Sequence, residues 1–283
     1  MPELPEVRAH ADRLTADFAG AHLEVFRALS FTALKTFDPP TSALHGQSIG
    51  AVTRHGKFLD IAVGELHLAI HLARAGWIRW REAAPQGAVR PGKTPLAARL
   101  VLDDGSGIAK GSGFDVTEAG TKKSLAIHIV RSPRDVPGIA RLGPDPLSET
   151  FTIQEFVGIL EASGRKQIKG LLRDQSVIAG IGNAYSDEIL HTARMSPFKA
   201  AAMGPDDAAQ LFDAMQATLR GAIERAEGLD ASELKREKKS GLRVHGRTGE
   251  PCPVCGDTVR QVIYTDSTFQ YCPTCQTGGK PLA

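Results

Sequence analysis

The sequence has no cysteine before residue 252, so nothing upstream can be held by disulfides and must rely on ordinary cores. It has no uncharged apolar run near the ~20 residues needed to span a bilayer, which excludes a membrane-spanning helix. It has no cationic stretch followed by an apolar one at its start, so no signal peptide is read there. The expectation is a soluble, cytoplasmic protein. Neither sign of charge dominates: the formal net charge is +2, which does not by itself announce nucleic acid. No internal repeat or low-complexity tract interrupts the chain. A hydrophobic fraction of 42% supports real cores and argues against disorder.

A length of 283 residues suggests more than one domain. Apolar residues at Leu4, Val7, Ala11, Leu14 and Phe18 have the spacing of an amphipathic helix, ended by Gly20. From His22 to about Val130 the pattern becomes one of short strands, at Ile49–Val52, Phe58–Val63, Leu66–Leu72, Trp77–Trp80, Ala98–Leu102 and Ser124–Val130. Asp104-Gly105 is a hairpin turn signal. Many short strands with few helices between them predict a sandwich or barrel. Ala83–Thr94 is rich in Pro and Gly and reads as a loop. Pro133–Pro146 reads as a linker. Helices follow at Thr152–Ala162, within Ile168–Arg194 on either side of a glycine turn, and at Pro205–Glu227. The expected domains are a β-sandwich at 1–132, a linker at 133–146, helices at 147–229, a basic loop at 230–247 and a cysteine module at 248–283.

All four cysteines fall in that last module, as Cys252, Cys255, Cys272 and Cys275. Two C-x2-C pairs flank sixteen residues, a spacing suited to a four-thiolate zinc site. The intervening Thr258–Tyr271 is rich in Val, Ile, Tyr, Phe and Thr and reads as a β-hairpin. Two disulfides are the alternative, disfavoured in a cytosolic chain of this length. Some thirty residues cannot bury a core alone, and a metal would supply the missing folding energy.

The chain opens Met1-Pro2-Glu3-Leu4-Pro5-Glu6. Methionine is usually removed before a small second residue, which would leave Pro2 with a free secondary amine. An α-amino group has a pKa near ~8, so a useful fraction is neutral at physiological pH. Such an amine can attack a sugar aldehyde and form an imine. Glu3 and Glu6 are close enough in sequence to move protons for it. An ordinary helix entry is the other reading, since Pro and Glu both suit a first turn. Three further features carry paired readings. The turn Ala179-Gly180-Ile181-Gly182-Asn183-Ala184-Tyr185, with Asn183 as helix cap, is either an anion site at a helix start or a plain helix–helix turn. Lys57, in His55-Gly56-Lys57-Phe58, is a phosphate contact or an exposed edge residue. Lys235–Arg247 holds six Lys/Arg against Glu237 alone, and is a phosphate-binding patch or a solvated face.

Taken together and in order, MPELPEV, HGKFL, LGPDPL, IKGLLRDQSVIAGIGNAYSDEIL and the cysteine module resemble the formamidopyrimidine-DNA glycosylase / endonuclease VIII family over essentially the whole chain. The resemblance implies an α+β multidomain protein: an N-terminal β-sandwich with an N-terminal helix, a helix–two-turn–helix domain and a C-terminal zinc-ribbon hairpin. It implies a monomer that binds damaged or abasic DNA between its domains and flips the target nucleotide out. Pro2 would attack C1′ and Glu3 would donate and shuttle protons, so that base loss and strand scission share one covalent intermediate. Glu6 would position the terminus. Lys57 and Asn183 would hold phosphates, with Lys169, Gly182, Tyr185 and Arg74 in the DNA-binding set. The four cysteines would bind one structural Zn2+.

The chain also departs from the family pattern. Arg74, in His71-Leu72-Ala73-Arg74-Ala75-Gly76, stands where the family places a helix-wedging Met. Thr117-Glu118-Ala119-Gly120-Thr121-Lys122-Lys123 replaces a loop whose Arg and Phe enter the duplex. Thr265-Asp266-Ser267-Thr268 stands where the zinc hairpin carries a phosphate-gripping Arg. The segment from Gly228 to Arg247 is shorter than the family's lesion-capping loop. These changes predict a glycosylase and abasic-site lyase with an altered preference for lesion or DNA form, including single-stranded or bubble DNA. A damage-binding protein with little excision activity is the alternative. A zinc-ribbon interaction module on an unrelated β domain would leave the N-terminal motif unexplained.

Overall fold

The computed structural model describes residues 1–83, 95–103, 111–263 and 268–282. The expected turn at Asp104-Gly105, nearly all of the Ala83–Thr94 loop and residues 265–267 lie outside the described residues. Helix α1 spans Leu4–Phe18 and buries Val7, Ala11, Leu14 and Phe18, the stripe that its spacing predicts.

Eight strands follow: β1 His22–Ala28, β2 Ile49–His55, β3 Phe58–Val63, β4 Leu66–His71, β5 Gly76–Arg81, β6 Leu96–Asp103, β7 Ser112–Glu118 and β8 Ala126–Val130. They pair into two four-stranded sheets, β1-β6-β7-β5 and β2-β3-β4-β8, antiparallel throughout. Alternation sets which side faces inward. In β3 and β4 the register Leu59↔Ile70 and Ile61↔Leu68 aligns four residues that join α1 and the other sheet in one apolar core.

Strands β1 and β7 fall in the region expected to be strands but are not among those located individually. All seven residues of β7 are buried, although four, Ser112, Asp115, Thr117 and Glu118, can carry charge or a hydroxyl. Asp115 is matched by Arg99 at 2.7 Å and Arg81 at 2.9 Å. Burial works against the Asp115 carboxylate, but the two guanidiniums outweigh it and hold its pKa below the ordinary value. The Glu118 side chain accepts the N–H groups of Ser124 and Leu125, which closes the short turn into β8.

The remainder is largely helical: α2 Pro137–Ala140, α3 Ile153–Ser163, α4 Ile168–Arg173, α5 Asn183–Thr192, α6 Pro205–Ala226 and α7 Ala231–Gly241, then β9 Arg260–Ile263, β10 Thr268–Tyr271 and α8 Pro273–Thr277. Phe156, Ile168, Leu172, Ile189, Leu211, Met215 and Leu219 make a second core. The chain thus divides into two units. The β unit is Met1–Pro2, Glu6–Arg141 and Glu227–Leu234; the helical unit is Glu3–Pro5, Leu142–Ala226 and Lys235–Ala283. Among the described residues no helix is long and apolar enough to cross a membrane.

Two segments differ from the sequence expectation. The linker 133–146 is not featureless: Ser132 and Asp135 form a capping box and α2 follows directly. The basic loop 230–247 is largely helix. Asp230 Oδ1 caps α7 by accepting from Ser232 N and Glu233 N, while Glu233 reaches back to Asp230 N, a reciprocal cap. Leu234 is buried beneath the helix, and Arg225 on α6 grips Glu237 at 2.6 Å. Local capping and one apolar anchor therefore order a segment whose composition reads as loop.

Candidate active site

Glu3 is 2% exposed although it carries a carboxyl group. Its oxygens accept backbone N–H groups from Gly182 at 2.6 Å, Ala184 at 3.0 Å and Tyr185 at 3.3 Å. These are donors left over at the start of α5, where the helix dipole also favours negative charge. Three donors to one side chain suit a carboxylate, which only accepts. The first turn of α1 is fixed to the same place, since Leu4 N donates to Gly180 O at 3.0 Å.

The glycines of the turn follow from this contact. A Cβ on Gly182 would lie 2.5 Å from the Glu3 carboxyl carbon, and one on Gly180 would lie 2.9 Å from Leu4. Gly180 also has φ +91°, which disfavours any side chain. Two expectations are corrected here. Asn183 is the first residue of α5, and Gly182 occupies the cap position. The amides expected to meet a phosphate are taken by Glu3. Asn183 is half-buried, with Oδ1 lacking a hydrogen-bond partner. Tyr185 is buried.

Lys169 also departs from its expected role. Its ammonium is 0% exposed, paired with Asp187 and donating to Thr268 O at 2.9 Å. Burial lowers its pKa, while Asp187 opposes that shift. A lysine enclosed this way ties α4 to α5 and β10, and is not on offer to a DNA phosphate. Asp187 further contacts His245 Nδ1 at 2.8 Å. The adjacent Glu188 accepts the N–H groups of Arg243, Val244 and His245 at 2.8–2.9 Å. Burial raises the Glu188 pKa, and those three amides pull it back. The Asp-Glu pair of the long motif therefore anchors the approach to the cysteine module.

In the β unit, Pro2 is buried and Glu6 is 2% exposed in the first turn of α1. Lys57 occupies the tight β2–β3 turn and is 8% exposed, so it is not the exposed edge residue its position suggests. His71, absent from the sequence-based site, lies cross-strand from Phe58. Burial, then the Lys57 charge, lowers its pKa to about 4, so it is a neutral imidazole. Arg74 is exposed on the β4–β5 turn, which Gly76 N closes on Leu72 O at 2.8 Å with Ala73 left-handed at φ +52°. Glu3, Lys169, Gly182, Asn183 and Tyr185 belong to the helical unit; Pro2, Glu6, Lys57 and Arg74 belong to the β unit.

The sulfurs of Cys252, Cys255, Cys272 and Cys275 lie within 4.8 Å of one another. The separations of 3.3 Å for Cys255–Cys272 and 3.9 Å for Cys252–Cys275 are too long for disulfide bonds of about 2.05 Å. Burial pushes the Cys272 thiol up to about 11 and raises Cys275 further, whereas the Asp257 N–H lowers Cys255. Four converging soft donors whose ionisation needs a cation fit one metal ion.

Comparison with known proteins agrees with this geometry. Residues 1–109 match the formamidopyrimidine-DNA glycosylase N-terminal domain, and residues 142–233 match the H2TH domain of the same enzymes. A formamidopyrimidine-DNA glycosylase of Thermus thermophilus is 33% identical over 291 residues, covering 99% of this chain and 100% of that protein. The chain belongs to the formamidopyrimidine-DNA glycosylase family. An uncharacterized formamidopyrimidine-DNA glycosylase-like protein of Mycobacterium tuberculosis is 57% identical over 145 residues, 50% of this chain and 89% of that one. The crystal structure of MutM (Fpg) from Thermus thermophilus superposes with a TM-score of 0.80 at 31% identity, over 99% of this chain and 100% of that one. MutM bound to DNA containing carbocyclic 8-oxo-G shares the fold at 24% identity, with a TM-score of 0.82, covering 98% and 100% of the chains. Sequence reasoning placed the family correctly. It missed Lys238, which approaches Glu3, because a lysine inside a basic run looks like all its neighbours.

Proposed function

We propose that this member of the family is a base-excision DNA glycosylase with coupled abasic-site lyase activity, acting on damaged or abasic DNA. The observation that carries this reading is the seating of Glu3 on the amides of α5, directly after Pro2 in the chain. With Met1 removed, the Pro2 nitrogen attacks C1′ of the damaged nucleoside, the base departs with the electrons of the glycosidic bond, and the proton shed by the attacking nitrogen passes to the departing base, which restores the nitrogen lone pair. The C1′–O4′ bond then opens to an iminium as Glu3 gives a proton to O4′. The iminium acidifies C2′–H, and loss of that proton expels the 3′-phosphate. Glu6 fixes the terminus, and Lys57 and Asn183 hold phosphates flanking the lesion. The metal is Zn2+, structural, at the four cysteines; when bound it supplies folding energy to the hairpin.

Arg74 supports a shifted preference. An exposed guanidinium replaces an apolar wedge, and an arginine is a poorer filler of the gap left by a flipped base. Single-stranded, bubble or already abasic DNA removes the need for that wedge. The test is borohydride trapping on abasic oligonucleotides, single- and double-stranded, with wild type and Pro2→Gly after mass spectrometry confirms loss of Met1. A wild-type adduct whose cross-linked peptide begins at Pro2, and which is slower to form in Pro2→Gly because that variant offers only a primary α-amine, establishes the imine. Faster cleavage of duplex 8-oxoguanine DNA than of a bubble removes the proposed preference. Binding of abasic DNA with no adduct makes the protein a damage-binding member of the family.

A further inference from the structure

Helix α7 carries Lys235, Arg236, Lys238 and Lys239, but they are not equivalent. Lys235, Arg236 and Lys239 are more open to solvent. Lys238 follows Leu234 by four residues, so it shares the buried face of the helix. Its side chain is 11% exposed and its ammonium lies 4.0 Å from Glu3 Oε1. The same ammonium sits 4.7 Å from the centre of the Tyr185 ring, within reach of a cation–π attraction. The Arg225–Glu237 contact at 2.6 Å fixes the adjacent turn of α7 to α6.

The geometry points to Lys238 as a positioning residue for Glu3, a charge that sets how readily the carboxyl group holds its proton. This rests on Glu3 being the proton-transferring group of the proposed reaction. Within the helical unit Glu3 meets the ammonium of Lys238 on α7 and the N–H groups of Gly182, Ala184 and Tyr185 at the start of α5. Lys169 on α4 acts on it electrostatically, and its own charge is matched by Asp187. The chain terminus and Glu6 are its sequence neighbours. An ammonium near 4 Å favours the ionised carboxyl, and a Tyr face keeps that ammonium in place. Lys238 therefore weakens Glu3 as a proton donor to O4′ and sets the pH above which the ring-opening proton is no longer held.

The test follows the carboxyl carbon of Glu3 by 13C NMR across pH in the full-length metal-loaded protein, with Glu3→Gln used for assignment. In Lys238→Gln the titration midpoint of Glu3 is expected to rise by about one pH unit, and in Lys238→Arg to stay near wild type. Removing the cation stabilises the protonated form, so the alkaline limb of excision on a damaged base moves up by the same amount. Lys238→Met, which keeps the length of the side chain without its charge, should raise the Glu3 midpoint by the same amount, a reading that stands even where Lys238→Gln does not fold. An unmoved Glu3 midpoint in folded Lys238→Gln or folded Lys238→Met overturns the assignment. Neither titration needs turnover, so loss of the lyase reading would show separately as absence of a trapped adduct in wild type.

Discussion

The two units solve the same problem, the burial of carboxylates, in different ways. In the β unit Asp115 is matched by Arg99 and Arg81, and Asp60 by His55 at 3.0 Å and His67 at 2.9 Å. These partners lie on strands already joined by backbone ladders. In the helical unit Glu3 and Glu188 each take three backbone amides. Those amides belong to segments that no sheet or helix holds to the carboxylate. Side-chain pairs in the first unit reinforce contacts the fold already makes; amide-held carboxylates in the second create contacts and fix where functional segments sit.

The largest way to break this comparison acts on neither kind of carboxylate. Cys272→Ser should release the metal and unfold the hairpin, since structural zinc contributes on the order of 10 kcal/mol to such modules. Metal analysis should fall toward zero ions per chain while the β unit keeps its own thermal transition. Glu188→Ala comes next. It takes the acceptor from three N–H groups, of which that of Val244 is in a fully buried bond, and a stranded buried donor costs about 1–3 kcal/mol, so denaturant unfolding should show a loss of about 3 kcal/mol. If Asp115→Ala, which leaves Arg99 buried without its partner, costs much less, amide-held and cation-held carboxylates are unequal as argued.

Gly182→Ala acts on position with little change in charge. The new Cβ cannot coexist with Glu3 in its present seat, and a displacement of about 1 Å at a reacting group costs roughly 100-fold in rate. Trapping rates on abasic DNA should drop by about that factor, and the melting temperature should fall as well, because the displaced Glu3 no longer satisfies the buried N–H groups of Gly182, Ala184 and Tyr185. The smallest effect concerns His10, 1% exposed on α1 and edge-on to Trp77. Burial lowers its pKa from 6.5 to about 4. The unfolded chain therefore takes up the proton first, and stability falls as pH drops through that interval. Between pH 6.5 and 5 the loss is about 1.5 kcal/mol. His10→Phe should flatten that part of the stability profile in urea titrations, and an unchanged slope would show that His10 is not the group responsible.

What could be read beforehand follows the same division. Helix α1, most of the strands and the cysteine spacing depend on local periodicity, and they stand in the structure much as expected. Strand β7 escaped because its buried Asp115, Thr117 and Glu118 look like loop residues until their partners are known. Helix α7 escaped because its composition masks a good cap and one buried Leu234. Lys169 was misplaced for a related reason: its partner Asp187 is eighteen residues away, and a sequence does not announce which lysine is enclosed. The docking of Glu3 onto residues 182–185 spans about 180 positions, beyond any periodic signal. The two glycines were the visible trace of it, since they mark where another part of the chain comes close.

That span has a consequence in time. Residues emerge from a ribosome at roughly 5–20 per second, so Glu3 is made on the order of ten to forty seconds before the amides that receive it. Lys238 arrives later still. Until then Glu3 has no seat, and an unfinished chain carries the proposed nucleophile beside a carboxylate that is not yet held in place. The proposed reactive centre therefore comes together only after α5 and α7 have been made.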